Sequence, residues 1–339
     1  MGYPSYIIAD MSCNHHGSYE KAEEIVRAAA VAGADAIKLQ TYTGDTITLN
    51  CDKPHFILGN DGVKTSWETQ SLWKLFQGAH TPWDWSKKLQ SLAHSLGMDF
   101  FSSPFDHTAV DFLESLDVPM YKIASMEMVD IPLMKKVAAT GKPVIMSTGM
   151  ATVGEIEEAV RVLRQEGVKE LAILKCTSAY PAKPESANLL TIPNLSSTFN
   201  TVVGLSDHTL TTAVPVASTA LGGRIIEKHF IIDRDEGGPD SAFSLNPSEF
   251  KKMVDDVRVV EKSLGRVHYG GVHGEVRMFR RSIFVIKDVK AGETFVENEN
   301  VRSIRPGNGL HSRHMVDIVG KKATRDIERG EPMTWHMVQ

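Results

Sequence analysis

Over residues 1–265, short apolar runs alternate with longer amphipathic stretches. The runs cover 5–11 (SYIIADM), 35–41 (DAIKLQT), 98–103 (MDFFSS), 119–124 (PMYKIA), 143–148 (PVIMST), 170–176 (ELAILKC), 201–206 (TVVGLS) and 224–229 (RIIEKH). Each is short, apolar and bounded by turn residues, as expected of strands covered on both faces. Between them, stretches such as 19–32 and 152–166 repeat apolar residues at helical spacing. Gly33, Gly97, Gly141 and Gly167 stand where such helices would end, and glycine is the usual helix C-cap. Eight strand–helix repeats predict an α/β fold, a (β/α)8 TIM barrel over residues 1–265. A doubly wound sheet is the alternative, but it gives no reason for eight evenly spaced units.

Two stretches break the rhythm. Residues 42–82 form a long insertion after the second strand, with an amphipathic helix around SWETQSLWKLFQ. Long loops at the C-terminal face of a barrel often carry selectivity. Trp67, Trp73 and Phe76 could cover a site there, or simply pack the helix down. Residues 266–279 are Gly-rich and read as a linker. From residue 280 to 339 the pattern changes to short β runs (RSIFVIKDV, KAGETF, DIERGEPM), which predicts a separate small domain.

Composition narrows the function classes. With 42% apolar residues the chain can build a large core, and a net charge of −5 gives no nucleic-acid footprint. Cys13, Cys51 and Cys176 are too few and too scattered for a disulfide framework or a zinc knuckle, so a reducing cytoplasm fits. Cys176 ends an apolar run and reads as buried packing. The N-terminus lacks a signal-peptide pattern, and no stretch is long and apolar enough to span a membrane.

In a barrel enzyme the chemistry sits where strands run into the following loops. Those positions carry a polar set. The first strand gives Asp10, Ser12, Asn14 and His15; the second gives Lys38 and Gln40, on one face by the period of two. The third gives Ser102 and Ser103, the fourth Lys122, Ser125 and Glu127, and the fifth Ser147 and Thr148. The sixth leads into Thr177, Ser178 and Tyr180; the last two give Ser206, Asp207, His208, Glu227, Lys228 and His229. His208 and His229, at matching strand ends, suit a divalent metal with positions left open for substrate. A lysine inside a strand needs an anionic partner, so Lys38 and Lys122 with neighbouring hydroxyls suit a phosphate and a carboxylate on one small substrate. Ion pairs with Asp10, Glu127 or Glu227 are the competing structural explanation. Those three carboxylates are also candidates for proton transfer or water activation. The residues themselves leave two chemistries open: metal-assisted carbon–carbon bond formation, or hydrolysis, on a phosphorylated anion.

The stretches IIADMSCNHHGS, GADAIKLQTY, FSSPFD, YKIAS, PVIMSTGMAT, LKCTSAYP, VGLSDHT, IEKHF and GGPDSAFSL, in this order, resemble the sialic acid synthases. RPGNGL and VGKKATRDIERGE extend the likeness to the family's antifreeze-protein-like (SAF) domain. The resemblance implies condensation of phosphoenolpyruvate with an N-acyl amino sugar. It implies a manganese or magnesium ion on His208 and His229. It puts phosphoenolpyruvate against Lys38, Lys122, Ser125, Ser147, Ser178 and Ser206, with Gln40 in the same substrate-binding set, and the sugar near Tyr180, Glu127 and Asp240. Arg305 matches an arginine that the small domain lends to the partner's barrel, which implies a swapped homodimer.

Within the family, the segment LWKLFQGAHTPWDW and the ending DSAFSL are most like the pseudaminic branch. The neuraminate and legionaminate branches, which are the alternative, usually carry histidine where this chain has Ser241. The branch implies 2,4-diacetamido-2,4,6-trideoxy-altrose as the sugar, and a product bound for flagellin or a cell-surface polysaccharide. One position departs from the family: Asp10 stands where glutamate is usual, which keeps the charge on an arm one methylene shorter.

Overall fold

The computed structural model describes residues 4–59, 71–271 and 274–339. The chain divides into two compact units, Met1–Gly265 and Arg266–Gln339.

The first unit is the expected barrel. Strands β1 (Tyr6–Asp10), β2 (Ala36–Thr41), β3 (Asp99–Pro104), β4 (Tyr121–Ile123), β5 (Val144–Ser147), β6 (Leu171–Cys176), β7 (Val202–Asp207) and β8 (Ile225–His229) are all parallel. They close in chain order, and β8 returns to β1 with Ile8 opposite Glu227 and Asp10 opposite His229. Parallel neighbours need a crossover, and helices such as Tyr19–Val31 and Val153–Gln165 supply it. Thr152 and Glu155 form a reciprocal capping box at the start of the second of these. Gly33 and Gly167 follow the ends of these helices at φ +89° and +99°, the left-handed backbone a C-cap needs. Strand residues Ile7, Ile37, Phe100, Ile123, Leu174 and Ile226 are wholly buried in one continuous core with the helices. Gly204 in β7 is a packing requirement, because a Cβ there would stand 2.2 Å from the Ile225 carbonyl oxygen and 2.7 Å from Leu174 Cδ2.

The insertion after β2 contributes the short helices Gly44–Ile47 and Leu72–Ala79. Trp67 and the rest of 60–70 lie outside the described residues. Trp73 does not cover a site: its Nε1 donates to Asp45 Oδ1 at 2.8 Å and pins one helix to the other.

The second unit pairs β9 (Ser282–Val285) with β10 (Val301–Ile304) antiparallel, Val285 opposite Val301. Ile283, Val285, Phe295, Val301, Ile318 and Met333 form its own core. Residues Gly274–Phe279 coil into a short 3₁₀ turn, and Arg277 bonds through its carbonyl and its Nε to Gly307 at 2.9 and 3.0 Å. Part of the stretch expected as linker therefore belongs to this unit. No helix among the described residues is long and apolar enough to cross a membrane.

Candidate active site

The ends of the barrel strands open into a cavity of about 460 Å³. Its floor is ionic. Lys38 and Asp10, both buried, pair at 2.7 Å, and Asp10 also accepts from the Ser12 N–H at 3.0 Å. Glu227 stands 3.8 Å from Lys38 and 3.9 Å from Lys122, and accepts from Ser206 Oγ at 3.2 Å. Lys122 donates to the Ile123 carbonyl at 2.9 Å, and among the described residues its nearest carboxylate is Glu227 at 3.9 Å, beyond hydrogen-bond distance. Burial pushes the Asp10 carboxyl up, but Lys38 and His229 outweigh it and hold it at about 2. Burial pushes Lys38 down, and Asp10 with Glu227 overcomes that and raises it. For Lys122 burial wins and the amine is lowered, which leaves it in want of an anion.

The two histidines stand side by side with ring centroids 5.2 Å apart. His208 Nδ1 donates to the Thr177 carbonyl at 2.9 Å, which leaves Nε2 as the acceptor. Burial lowers His229 to about 3, so its ring is neutral. Its Nδ1 is buried without a hydrogen-bond partner among the described residues, 3.7 Å from Asp240 Oδ2. Phe243 lies edge-on to both rings, at 4.9 and 5.7 Å, and Tyr180 tilts over His208 at 4.5 Å. Among the described residues no group of three or more His, Cys, Asp or Glu is placed to hold a metal. Burial pushes His208 down, but Cys176 and the Thr177 carbonyl outweigh it and raise it. On giving up its extra proton, His208 can join the neutral His229 ring in holding a divalent ion that takes its remaining ligands from water and substrate.

The other predicted residues divide clearly. Gln40, Ser125, Glu127, Ser147, Ser206 and Asp240 line the cavity. Burial raises Glu127 to about 7, and its Oε2 lacks a partner among the described residues, as does Ser147 Oγ. Burial, with Asp10 nearby, also raises Asp240, which accepts from Ser12. Ser178 stands behind Gly149: a Cβ on that glycine would lie 2.2 Å from Ser178 Oγ and 2.9 Å from Ser125 Oγ. Glycine is thus required where the Gly149 N–H reaches Ser125 Oγ at 2.9 Å. Arg305 is exposed at the end of β10, in the second unit.

Several expected candidates are structural. Asp207 and Lys228 face away from the cavity and pair with each other at 2.6 Å. Ser102 turns outward to Thr41 at 2.7 Å. Asn14 ties the first loop to the last through the Phe230 carbonyl and Ser244 Oγ, both at 2.9 Å. His15 accepts from the Gly17 N–H at 3.0 Å and meets Thr81 Oγ1 at 3.0 Å. Cys176, expected as packing, instead lines the cavity 4.0 Å from His208 Nδ1. The end of β6 places it there, so strand parity was the available signal. Phe243 carried no signal beyond its nearness to the GGPD turn.

The NeuB family model matches residues 25–269, and the SAF domain model matches residues 280–339. The chain is 44% identical to the pseudaminic acid synthase of Campylobacter jejuni over 97% of this chain and 95% of that one. It is 35% identical to the N,N'-diacetyllegionaminic acid synthase of the same species over 96% and 97%. The crystal structure of the spore coat polysaccharide biosynthesis protein spsE of Bacillus subtilis superposes with a TM-score of 0.67 at 34% identity, covering 100% of this chain and 96% of that one. With the barrel, the second unit and matches spanning nearly its whole length, the chain belongs to the NeuB family of sialic acid synthases and ends in a SAF domain.

Proposed function

We propose that this chain is a pseudaminic acid synthase, joining phosphoenolpyruvate to 2,4-diacetamido-2,4,6-trideoxy-altrose with water to give pseudaminic acid and phosphate. The observation that carries the reading is the floor itself. Among the described residues, Lys122 is buried with its nearest carboxylate, Glu227, 3.9 Å away, Ser147 Oγ lacks a hydrogen-bond partner, and both line the same cavity as His208 and His229. That is a site for a small phosphorylated acid beside a divalent ion. Greater identity to the pseudaminic than to the legionaminic relative, 44% against 35%, supports the choice of sugar.

The chain's own groups then divide the work. Lys38, Lys122, Ser125, Ser147, Ser178 and Ser206 hold the phosphate and carboxylate, with Gln40 alongside, while Tyr180 and Asp240 border the sugar. A divalent ion, manganese or magnesium, bound by His208 and His229 would polarise a carbonyl oxygen. The methylene carbon of phosphoenolpyruvate bonds to C1 of the open-chain aldehyde, and Glu127, raised to about 7 and so still partly protonated at neutral pH, can give a proton to the aldehyde oxygen. Positive charge develops at C2 of the enol phosphate. Asp10, held ionised by Lys38, is a poor base but a fixed counter-charge for that cation. Glu227 has one oxygen free of hydrogen bonds among the described residues, and takes the proton of the water that adds at C2. The C2–O bond to phosphate then breaks as the C2 hydroxyl becomes the C2 carbonyl, and its proton leaves on the departing phosphate.

Phosphate release with manganese, comparing the trideoxy-altrose with N-acetylmannosamine, tests the reading. Turnover of the first sugar alone is expected; turnover of N-acetylmannosamine alone would overturn it. The chain is also proposed to work as a homodimer in which Arg305 serves the partner's site. Mixing inactive Arg305→Ala and His229→Ala chains should then restore activity, since one site of the mixed dimer has both groups. No recovery on mixing would exclude action in trans. The three free cysteines suit the cytoplasm, where phosphoenolpyruvate is made.

A further inference from the structure

The helix Leu72–Ala79 carries Leu72, Leu75, Phe76 and Ala79 at the spacing i, i+3, i+4, i+7, one continuous apolar stripe. Such a stripe normally packs into a core. Here none of the helix is fully buried, and all four residues line the cavity. Ile47 and Leu58, from the same insertion, continue the surface. Tyr42 braces it edge-on against Phe76 at 5.7 Å and against Phe105 at 5.1 Å. The cavity therefore has two chemically opposite sides. The strand ends offer charge, hydroxyls and imidazoles, and the insertion offers hydrocarbon.

A substrate in this cavity has one orientation open to it. Its reacting carbonyl belongs with the phosphorylated acid and the histidines at the strand ends. The far end of the sugar chain must then run out toward the insertion. A hydroxyl laid against Leu72, Leu75 and Phe76 would lose water and gain no partner. A methyl group there would instead gain by burial. We infer that this apolar wall is the specificity determinant for the sugar, selecting a chain that ends in a methyl group over one that ends in hydroxymethyl. The inference rests on the proposed reaction and deepens it.

The test uses two sugars that differ only at C6: the 2,4-diacetamido altrose with a C6 methyl and its 6-hydroxy analogue. Both are assayed by phosphate release with wild type and with Leu75→Asn. Wild type should favour the methyl sugar in kcat/KM by up to about 100-fold, the ceiling for an apolar pocket facing one added hydroxyl. Leu75→Asn should cut that preference about tenfold, the equivalent of ~1.4 kcal/mol, while the KM for phosphoenolpyruvate stays put. The unchanged KM shows that the strand-end site is intact in the variant. Phe76→Leu, which keeps the wall apolar, should keep the preference. Equal kcat/KM for the two sugars in wild type would overturn the inference alone, as would a variant in which both rates fall together at constant ratio. No turnover of either sugar by wild type would sink the proposed reaction, and the methyl selection with it.

Discussion

Two consecutive rungs of the β7–β8 ladder carry opposite kinds of polar pair. Ser206 lies opposite Glu227, and Asp207 opposite Lys228. All four side chains are buried. The first rung faces the cavity, the second the surrounding helices. The outer pair is in direct contact and well bonded: Lys228 bonds Asp207 Oδ2 at 2.6 Å and the Thr209 carbonyl, while Asp207 accepts the Thr209 N–H and Oγ1 at 3.1 and 2.9 Å. The inner rung is not. Glu227 keeps one oxygen without a partner among the described residues, and its lysines stand 3.8 and 3.9 Å away. Buried polar groups are costly unless paired. A pair that is well bonded is part of the scaffold; a set left short of partners at the same depth is arranged for something that binds. Position on the ladder, one residue apart, decides which.

Substitutions on the two sides should therefore separate activity from stability. His229→Ala should lower kcat by about 10³-fold or more and remove metal dependence, with thermal stability close to wild type. Lys228→Met, one residue away, should do the reverse. It strands Asp207 without its cation and should cost about 3–5 kcal/mol in chemical unfolding, with kcat per folded molecule largely kept. Near-normal turnover in His229→Ala would sink the metal assignment. A stable but inactive Lys228→Met would show that the outer pair acts on the chemistry. Lys122→Ala should have a smaller effect: loss of one charged hydrogen bond raises the KM for phosphoenolpyruvate about 10–100-fold. An unchanged KM would count against its role toward the phosphate.

How much of this was visible in the chain follows from what each signal encodes. Both-face burial makes the barrel strands plain apolar runs, so the strands were legible to within a residue or two. The period of two put Lys38 with Gln40 on one face, and both line the cavity; the same period, applied to the last strand, puts Glu227 with His229 there. Lys228 could have been sent outward by the same parity, and Trp73 could have been excluded from the site because it falls off the stripe of Leu72, Leu75, Phe76 and Ala79. What that stripe meets was not readable. An amphipathic helix announces an apolar face, and whether protein or a cavity lies against it is decided by distant chain. Cys176 is buried as expected, and the parity of its strand, which was not applied to it, is what would have turned it to the cavity.

The smallest expected effect sharpens the comparison most, because it asks whether an unsaturated inner group titrates during turnover. Glu127 is largely buried with one oxygen unpartnered, and burial raises it to about 7. Its folded pKa lies above its unfolded value of 4.5, so the folded state binds the extra proton between the two. The stability this group contributes is therefore fully present below about pH 4.5 and is lost as pH rises through about 7. If Glu127 also acts as the acid, kcat/KM should fall on the alkaline side with an apparent pKa near 7. Glu127→Gln should lose that limb, and its melting temperature should gain on wild type as pH rises from about 4.5 to about 7 and then hold level. Cys176 also sits at about 7, because His208 offsets its burial, so it is the rival source of the limb. A limb that survives in Glu127→Gln but disappears in Cys176→Ser would transfer the titration to the thiol and leave Glu127 as a buried group without a proton to give.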